Sequence, residues 1–137
     1  LSFKKKNKTM KKQPDIIISD SDLAAIERQL EKAKLPADFV DALEQELYRA
    51  TIVKATDLPA DVVALGSQVT FKILNTNNIF TKTLCFPADM TKHQDGISIF
   101  APIGSALLGL RAGQNISWQT LSGQQSVEIV QVNAKAS

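Results

Sequence analysis

Residues 68–86, QVTFKILNTNNIFTKTLCF, decide the fold of this chain. Their first six positions alternate polar and apolar side chains, which is the pattern of a half-buried strand. Residues 75–78, NTNN, have the composition of a turn, and residues 79–86 predict a returning strand that Pro87 ends. The centre of the chain therefore predicts a β-hairpin, around which the neighbouring elements can be assigned.

The segment after this hairpin predicts a third strand and a short helix. Residues 97–100, ISIF, are β-prone and follow a turn-forming Asp-Gly pair. Pro102 can occupy the first turn of a helix, because that position needs no backbone N–H donor. Either Gly109 or Gly113 can end this helix, since glycine tolerates the left-handed conformation found at helix C-termini.

Both ends of the folded region also contain β-prone runs. Residues 15–18, DIII, either pair with a sheet edge or lead directly into a helix. Residues 115–121 and 126–132 alternate in polarity around the turn pair at 122–123, SG, which predicts a closing hairpin. The strands of the C-terminal half thus predict one antiparallel sheet that holds a single short helix.

Two amphipathic helices are predicted before this sheet. Apolar residues recur at helical spacing over residues 20–34 and 37–50, and Pro36 separates the two segments. Ser19, followed three residues later by Asp22, resembles a capping box at the first helix. Because the connection is short, the helices are expected to pair antiparallel, each about 22 Å long at about 1.5 Å per residue. A helical hairpin followed by a sheet is an α+β fold.

The formal net charge of +2 is the sum of unlike segments. Residues 1–18 carry +5, residues 19–61 carry −5 and residues 62–137 carry +2. A basic tail, predicted to be disordered over residues 1–14, therefore precedes an acidic hairpin and a mildly basic sheet. Clustered lysines neutralise phosphates, so the tail is either a weak DNA contact or a solubilising segment.

Few residues are available for catalysis or metal binding. The single cysteine, Cys85, and the single histidine, His93, are too few for a structural zinc site. Cys85 is predicted to be a buried small hydrophobe and His93 to lie in a polar surface loop. No phosphate-binding glycine motif, no signal peptide and no run of 18 apolar residues occurs in the sequence. We therefore expect a cytoplasmic protein that is not an enzyme and has no metal, cofactor or membrane partner.

Asp38 and Asp41 lie one turn apart at the start of the second predicted helix. Paired carboxylates of this kind can bind Mg²⁺. The alternative, which we favour, is that they supply negative charge to a helix N-terminus and to a solvated face. The sequence therefore predicts no metal site at this position.

Residues 100–113, FAPIGSALLGLRAG, resemble the C-terminal signature of the bacterial Gre transcript-cleavage factors, in which Ser-Pro-Ile/Leu-Gly-x-Ala-Leu-Leu-Gly is followed by Gly-Asp. Residues 62–69 and 121–129 resemble the strand that opens that domain and the hairpin that closes it. Within the superfamily, the chain resembles the Rnk-like regulators of nucleoside diphosphate kinase. These share the Ala-Pro-Ile variant and a Leu-Pro pair followed by a pattern like that of residues 41–47, DALEQEL.

The resemblance implies an FKBP-like C-terminal domain over residues 55–137 and a short coiled-coil hairpin over residues 15–54. It also implies a regulator that binds RNA polymerase near the secondary channel, competes with Gre-type factors and affects nucleoside diphosphate kinase levels. We expect this regulator to be a monomer. Two residues depart from the Gre pattern: Ala101 stands where Gre factors have Ser, and Gln114 stands where they usually have Asp.

Two surfaces carry the function that the resemblance implies. The first, called here the docking loop, consists of Phe100, Ala101, Pro102, Ile103 and Gly104. The second is the hairpin tip, with Lys32, Lys34, Pro36 and Asp38. Gre factors hold a catalytic Mg²⁺ with acidic residues at the tip of a longer coiled coil, whereas lysines repel a cation, so transcript cleavage is not expected. The FKBP-like fold suggests a peptidyl-prolyl isomerase as the alternative function.

Overall fold

A computed structural model of the chain describes residues 14–120 and 123–134. The described residues therefore exclude residues 1–13 of the predicted basic tail and residue 122 of the predicted turn. The regular elements follow one another in the order β1 (Ile17–Ser19), α1 (Asp20–Lys32), α2 (Ala37–Arg49), β2 (Thr51–Val53), β3 (Gln68–Ile73), β4 (Asn78–Cys85), β5 (Gly96–Ser98), α3 (Pro102–Leu107), β6 (Asn115–Thr120) and β7 (Gly123–Asn133). Short 3-10 turns occupy Ala55–Asp57 and Pro87–Lys92. None of the helices described is both long enough and apolar enough to cross a bilayer.

The predicted helical hairpin is confirmed, and each helix ends one or two residues earlier than expected. The side-chain oxygen of Ser19 accepts a hydrogen bond from the backbone N–H of Asp22 at 3.1 Å and so caps α1. Pro36 is the N-cap of α2. Both helices have 13 residues, which corresponds to a length of about 20 Å.

The β-prone run before α1 pairs with the segment that follows α2. β1 and β2 form a parallel two-stranded sheet in which Ile17 pairs with Thr51. The two ends of the helical hairpin are therefore held side by side. Both sequence-based alternatives hold in part, since the run pairs with β2 in a sheet of its own and α1 begins directly after it at Asp20. The partner strand β2 was not predicted, because three residues are too few to show a period.

The main sheet has the strand order β5-β4-β3-β7-β6. The prediction of a purely antiparallel sheet is wrong at one edge, where β5 runs parallel to β4 with Gly96 beside Thr83. The 3-10 turn over Pro87–Lys92 carries the chain back along β4, and such a crossover, unlike a tight hairpin, leaves the next strand parallel. A register shift between Thr70 and Phe71 marks an irregularity in the pairing of β3 with β7.

The hydrophobic core extends from the sheet into the helical hairpin. Sheet residues such as Val69, Phe71 and Ile129 are buried in the same cluster as Ile26 of α1 and Leu43 of α2. The part of the chain that contains β3–β7 and α3 is called here the sheet unit. The hairpin therefore packs against the sheet unit through the apolar stripe that its sequence period predicts. This packing places α2 beside the segment that contains the docking loop.

Candidate functional site

The docking loop consists of the corner that follows β5 and the first turn of α3. Two hydrogen bonds to Ser98 shape this corner: the N–H of Phe100 donates to its hydroxyl and the N–H of Ala101 to its carbonyl, both at 3.0 Å. Pro102 then begins α3, as predicted, and the N–H of Ser105 donates to the Ala101 carbonyl at 2.9 Å. The path of the loop is thus fixed by backbone hydrogen bonds.

The five residues of the docking loop differ in accessibility. Pro102 is exposed, whereas Phe100, Ala101 and Ile103 are partly buried. The Phe100 ring packs against that of Phe86 with centroids 6.0 Å apart. Gly104 is buried, and a Cβ at this position would lie 1.8 Å from the carbonyl oxygen of Ser98. Gly104, which the sequence suggested as a contact residue, therefore supports the loop from inside.

A groove of about 290 Å³ runs between α2 and α3 beside the docking loop. Its lining is mainly apolar and comes from β1, α2, α3, β6 and the residues that adjoin β1 and α3, as follows: Ile16, Ile18, Phe39, Ala42, Leu43, Gln45, Glu46, Leu47, Pro102, Ser105, Ala106, Leu108, Ile116, Ser117 and Trp118. The indole Nε1 of Trp118 is buried and has no hydrogen-bond partner within the described part of the chain. Sequence reasoning missed this groove, because it exists only where two elements about 60 residues apart pack together.

The hairpin tip is a separate surface. Lys32, Lys34, Pro36 and Asp38 are all exposed, and no ion pair involving them occurs in the residues that the structure covers. Asp41, one turn beyond Asp38, is exposed as well. Over residues 14–120 and 123–134, no three His, Cys, Asp or Glu side chains are grouped so that they could hold a metal ion.

Cys85 ends β4 and pairs with Ser98 of β5, and His93 follows the 3-10 turn over Pro87–Lys92. The prediction that Cys85 is buried is confirmed, and its Sγ lies 3.6 Å from the Sδ of Met90. Burial, together with the negative charge of Asp89, raises the pKa of this thiol. Nearby, hydrogen bonds from the Gln68 amide and the Thr83 hydroxyl lower the pKa of Asp95. Through these hydrogen bonds, Asp95 connects the loop before β5 to Gln68 of β3 and Thr83 of β4.

Gln114, which departs from the Gre pattern, has a structural role that its sequence position did not indicate. Its Oε1 accepts a hydrogen bond from the backbone N–H of Arg111 at 2.7 Å, and its Nε2 donates to the carbonyl of Asp15 at 3.4 Å. Arg111 also contacts the carboxylate of Asp61 at 3.2 Å. The side chain of an aspartate at position 114 would have no N–H to donate, so the amide links the segment before β1 to the sheet unit in a way that the carboxylate cannot.

A second link between the helical hairpin and the sheet unit starts in α1. The Oδ2 of Asp22 accepts a hydrogen bond from the backbone N–H of Leu65 at 3.1 Å. The strand β1 contributes a further link, since the N–H of Ile17 donates to the carbonyl of Gly109 at 3.1 Å. α3 ends at Leu107, and Gly109, one of the two glycines suggested as its end, follows two residues later with a φ of +83° in the turn closed by the hydrogen bond from the N–H of Leu110 to the carbonyl of Leu107.

Comparison with known proteins gives a consistent set of similarities. A family model for the Rnk N-terminus matches residues 14–53, and one for the C-terminal part of the transcription elongation factors GreA/GreB matches residues 58–134. The chain is 41% identical over 114 residues to the regulator of nucleoside diphosphate kinase from Escherichia coli K12, covering 81% of this chain and 82% of that protein.

Longer relatives and a solved structure are also similar. The chain is 36% identical over 93 residues to transcription elongation factor GreA from Bacillus cereus, covering 68% of this chain but 59% of that protein. A solved structure described as prokaryotic transcription elongation factor GreA/GreB from Nitrosomonas europaea superimposes with a TM-score of 0.69 at 39% identity. That similarity covers 88% of this chain and 99% of the solved chain.

Proposed function

Since this chain belongs to the GreA/GreB transcription elongation factor family and has the N-terminus of its Rnk-type members, we propose that it regulates transcription by binding RNA polymerase near the secondary channel. It does so without catalysis, competes there with Gre-type factors, and thereby affects nucleoside diphosphate kinase levels. RNA polymerase is thus the proposed partner. No cofactor or metal takes part in this proposal.

The observation that carries the proposal is the geometry of the docking loop. Pro102 is exposed at the start of α3, and its apolar neighbours Phe100 and Ile103 are only partly buried. Exposed apolar surface on a rigid corner is typical of protein interfaces, because a fixed loop loses little conformational entropy on binding. Hydrogen bonds to Ser98 and the close packing of Gly104 fix this corner before any partner arrives.

The hairpin supports a role without transcript cleavage. Its helices are about 20 Å long, and the chain covers only 59% of the longer GreA relative from Bacillus cereus. Lys32 and Lys34 are exposed at the tip, where positive charge opposes the binding of a divalent cation. A hairpin of this kind fits a factor that occupies a site on the polymerase and excludes other factors.

The finer organisation belongs to the same proposal. We assign residues 15–54 to a coiled-coil hairpin and residues 55–137 to an FKBP-like domain, a division supported by the bounds of the two family models. Residues 1–14 form the basic tail, with at most a weak contact to DNA. The working form is a cytoplasmic monomer, and analytical ultracentrifugation of the full chain tests its oligomeric state.

A peptidyl-prolyl isomerase is the alternative that the FKBP-like assignment raises. Fold similarity by itself does not establish an activity, because one fold supports many functions. The relatives reported above are described as regulators and elongation factors, which favours the binding role. A proline-peptide isomerisation assay decides this point, since turnover above the uncatalysed rate would support the alternative.

The docking loop is tested by retention of purified RNA polymerase on the immobilised chain. The double variant Pro102→Ala/Ile103→Asp removes the exposed ring and places a charge in the apolar loop. We expect polymerase binding to weaken at least about tenfold, the loss expected when a central apolar contact of an interface is removed.

A matched control uses an exposed apolar residue away from the loop. Ile79 is 60% exposed on β4 beside the β3–β4 turn, so Ile79→Asp introduces the same charge on another surface. This control is expected to retain polymerase like the original chain. Equal retention by the docking-loop variant, with both variants folded by far-UV circular dichroism, would contradict the proposed docking surface.

A further inference from the structure

The helical hairpin is attached to the sheet unit through a small joint, defined here as β1, β2 and the side chain of Asp22. β1 and β2 hold the two ends of the hairpin side by side, and Ile17 bonds to Gly109 of the sheet unit at 3.1 Å. Each of these strands has only three residues. A pair this short is marginal by itself, so the joint depends on further contacts to hold a single direction.

The side chain of Asp22, a residue of α1 itself, supplies one of these further contacts. It occupies the third position of α1, where a capping-box side chain returns to the backbone N–H of the N-cap residue. Its backbone N–H keeps the cap by donating to Ser19 at 3.1 Å, but its Oδ2 reaches the N–H of Leu65, 43 residues further along the chain. The carboxylate therefore connects the rigid first turn of the hairpin directly to the segment before β3.

The orientation of the helical hairpin relative to the sheet unit matters because a small rotation at the joint causes a large displacement of the hairpin tip. Apolar packing of Ile26 and Leu43 holds the hairpin against the sheet unit, but such packing is not directional. A hydrogen bond is directional, since it weakens steeply as its angle departs from linearity. For a helix about 20 Å long, a rotation of about 15° at the joint moves the tip by about 5 Å.

We infer that Asp22 is a positioning residue whose bond to the Leu65 amide fixes the direction of the helical hairpin relative to the docking loop. The inference rests on the proposed function, because a fixed direction lets the hairpin enter the polymerase channel when the docking loop binds. Without the bond, the hairpin samples several directions and must be ordered during binding, which lowers affinity.

The first experiment measures the direction without polymerase. Spin labels are attached after Lys34→Cys at the tip and Thr76→Cys in the β3–β4 turn, in a Cys85→Ser background, and pulsed electron paramagnetic resonance gives their distance distribution. We expect one narrow distribution for the parent and a broadened distribution, or one shifted by several ångströms, for Asp22→Ala. An unchanged distribution for Asp22→Ala would overturn the inference.

Three further variants separate positioning from helix stability. Asp22→Asn keeps an oxygen that can accept from Leu65, so we expect it to restore the narrow distribution. Asp22→Ser shortens the side chain and is expected to behave like Asp22→Ala, which keeps the test open if the alanine variant is unstable. Asp20→Ala removes the same type of charge from the same helical turn, at a residue that is exposed. This control is expected to match the parent.

The second experiment measures competition with a Gre-type factor on RNA polymerase. We expect Asp22→Ala to need about fivefold more protein for half-displacement, the size of effect associated with one hydrogen bond, and Asp22→Asn to match the parent. If the parent itself does not bind polymerase, the proposed function fails while the distance measurement still tests the joint. If the distance distribution of Asp22→Ala broadens but its competition with the Gre-type factor is unchanged, the orientation of the hairpin does not affect polymerase binding, and that part of the inference is wrong.

Discussion

Gly104→Ala tests whether tertiary packing or local helix propensity dominates in the docking loop. Gly104 is the third residue of α3, and its φ is outside the left-handed region. Local propensity therefore predicts that alanine stabilises the chain, by up to about 1 kcal/mol. The structure predicts the opposite sign, because the new Cβ would lie 1.8 Å from the carbonyl oxygen of Ser98.

The magnitude follows from the distance that must be recovered. An ordinary non-bonded contact needs about 3.5 Å, so the Cβ at position 104 and the Ser98 carbonyl oxygen, 1.8 Å apart as built, must separate by about 1.7 Å. The opposing atom belongs to the backbone and cannot rotate away, and the N–H of Ala101 already donates to it at 3.0 Å. Overpacking of this kind costs about 1–3 kcal/mol, and we expect a loss of stability near the upper end, about 3 kcal/mol.

Urea unfolding followed by far-UV circular dichroism measures this loss. With a slope of about 2 kcal/mol per molar urea, a loss of about 3 kcal/mol lowers the midpoint by about 1.5 M. Gly113→Ala is the matched control: Gly113 has a φ of +93°, but a Cβ there meets nothing within 4 Å. It should cost about 1–2 kcal/mol, from backbone strain alone. A Gly104→Ala variant as stable as the parent would refute the reasoning.

Two further predictions concern Cys85 and Asp95, which lie near the pairing of β4 with β5. Cys85 is buried and its pKa is raised. At pH 8 its reaction with a thiol reagent should therefore be at least about 100-fold slower in the folded chain than in the chain unfolded by urea. Similar rates in the two states would show that the thiol is accessible. The pKa of Asp95 is lowered in the folded state, so its contribution to stability is present above about pH 4, its unfolded value, and is lost as the pH falls further. The stability difference between the parent and Asp95→Asn should therefore be constant near neutral pH and shrink below about pH 4; a difference that grew on acidification would contradict this sign.

Much of the local structure was predictable because its signals lie within short windows. The period of 3.6 residues located both helices of the hairpin to within two residues, and the period of two located β3 over residues 68–73. Pro102 marked the start of α3 through its backbone preference, whereas Gly109 and Gly113 remained alternatives for its end, which lies at Leu107. The family resemblance drawn from residues 100–113 is confirmed by the GreA/GreB family model.

The candidate site was only partly predictable. The docking loop was recognised from its sequence, but the different exposures of Pro102 and Gly104 depend on how α3 packs against β5. The groove beside the loop requires α2 and α3 to lie together, which no local pattern encodes. Gln114 was recognised only as the absence of a charge, whereas its amide joins the backbone of Arg111 to that of Asp15.

The sequence by itself determined the helical hairpin, most of the strands and the family, because each depends on residues close together in the chain. The tertiary structure decided the parallel pairing of β1 with β2, the parallel edge strand β5, and the bond from Asp22 to Leu65. These features join residues that are separated by up to 43 positions, and hydrophobic periodicity carries no information about such partners. The physical reason is that periodicity shows which face of an element is buried, whereas only packing decides what it is buried against.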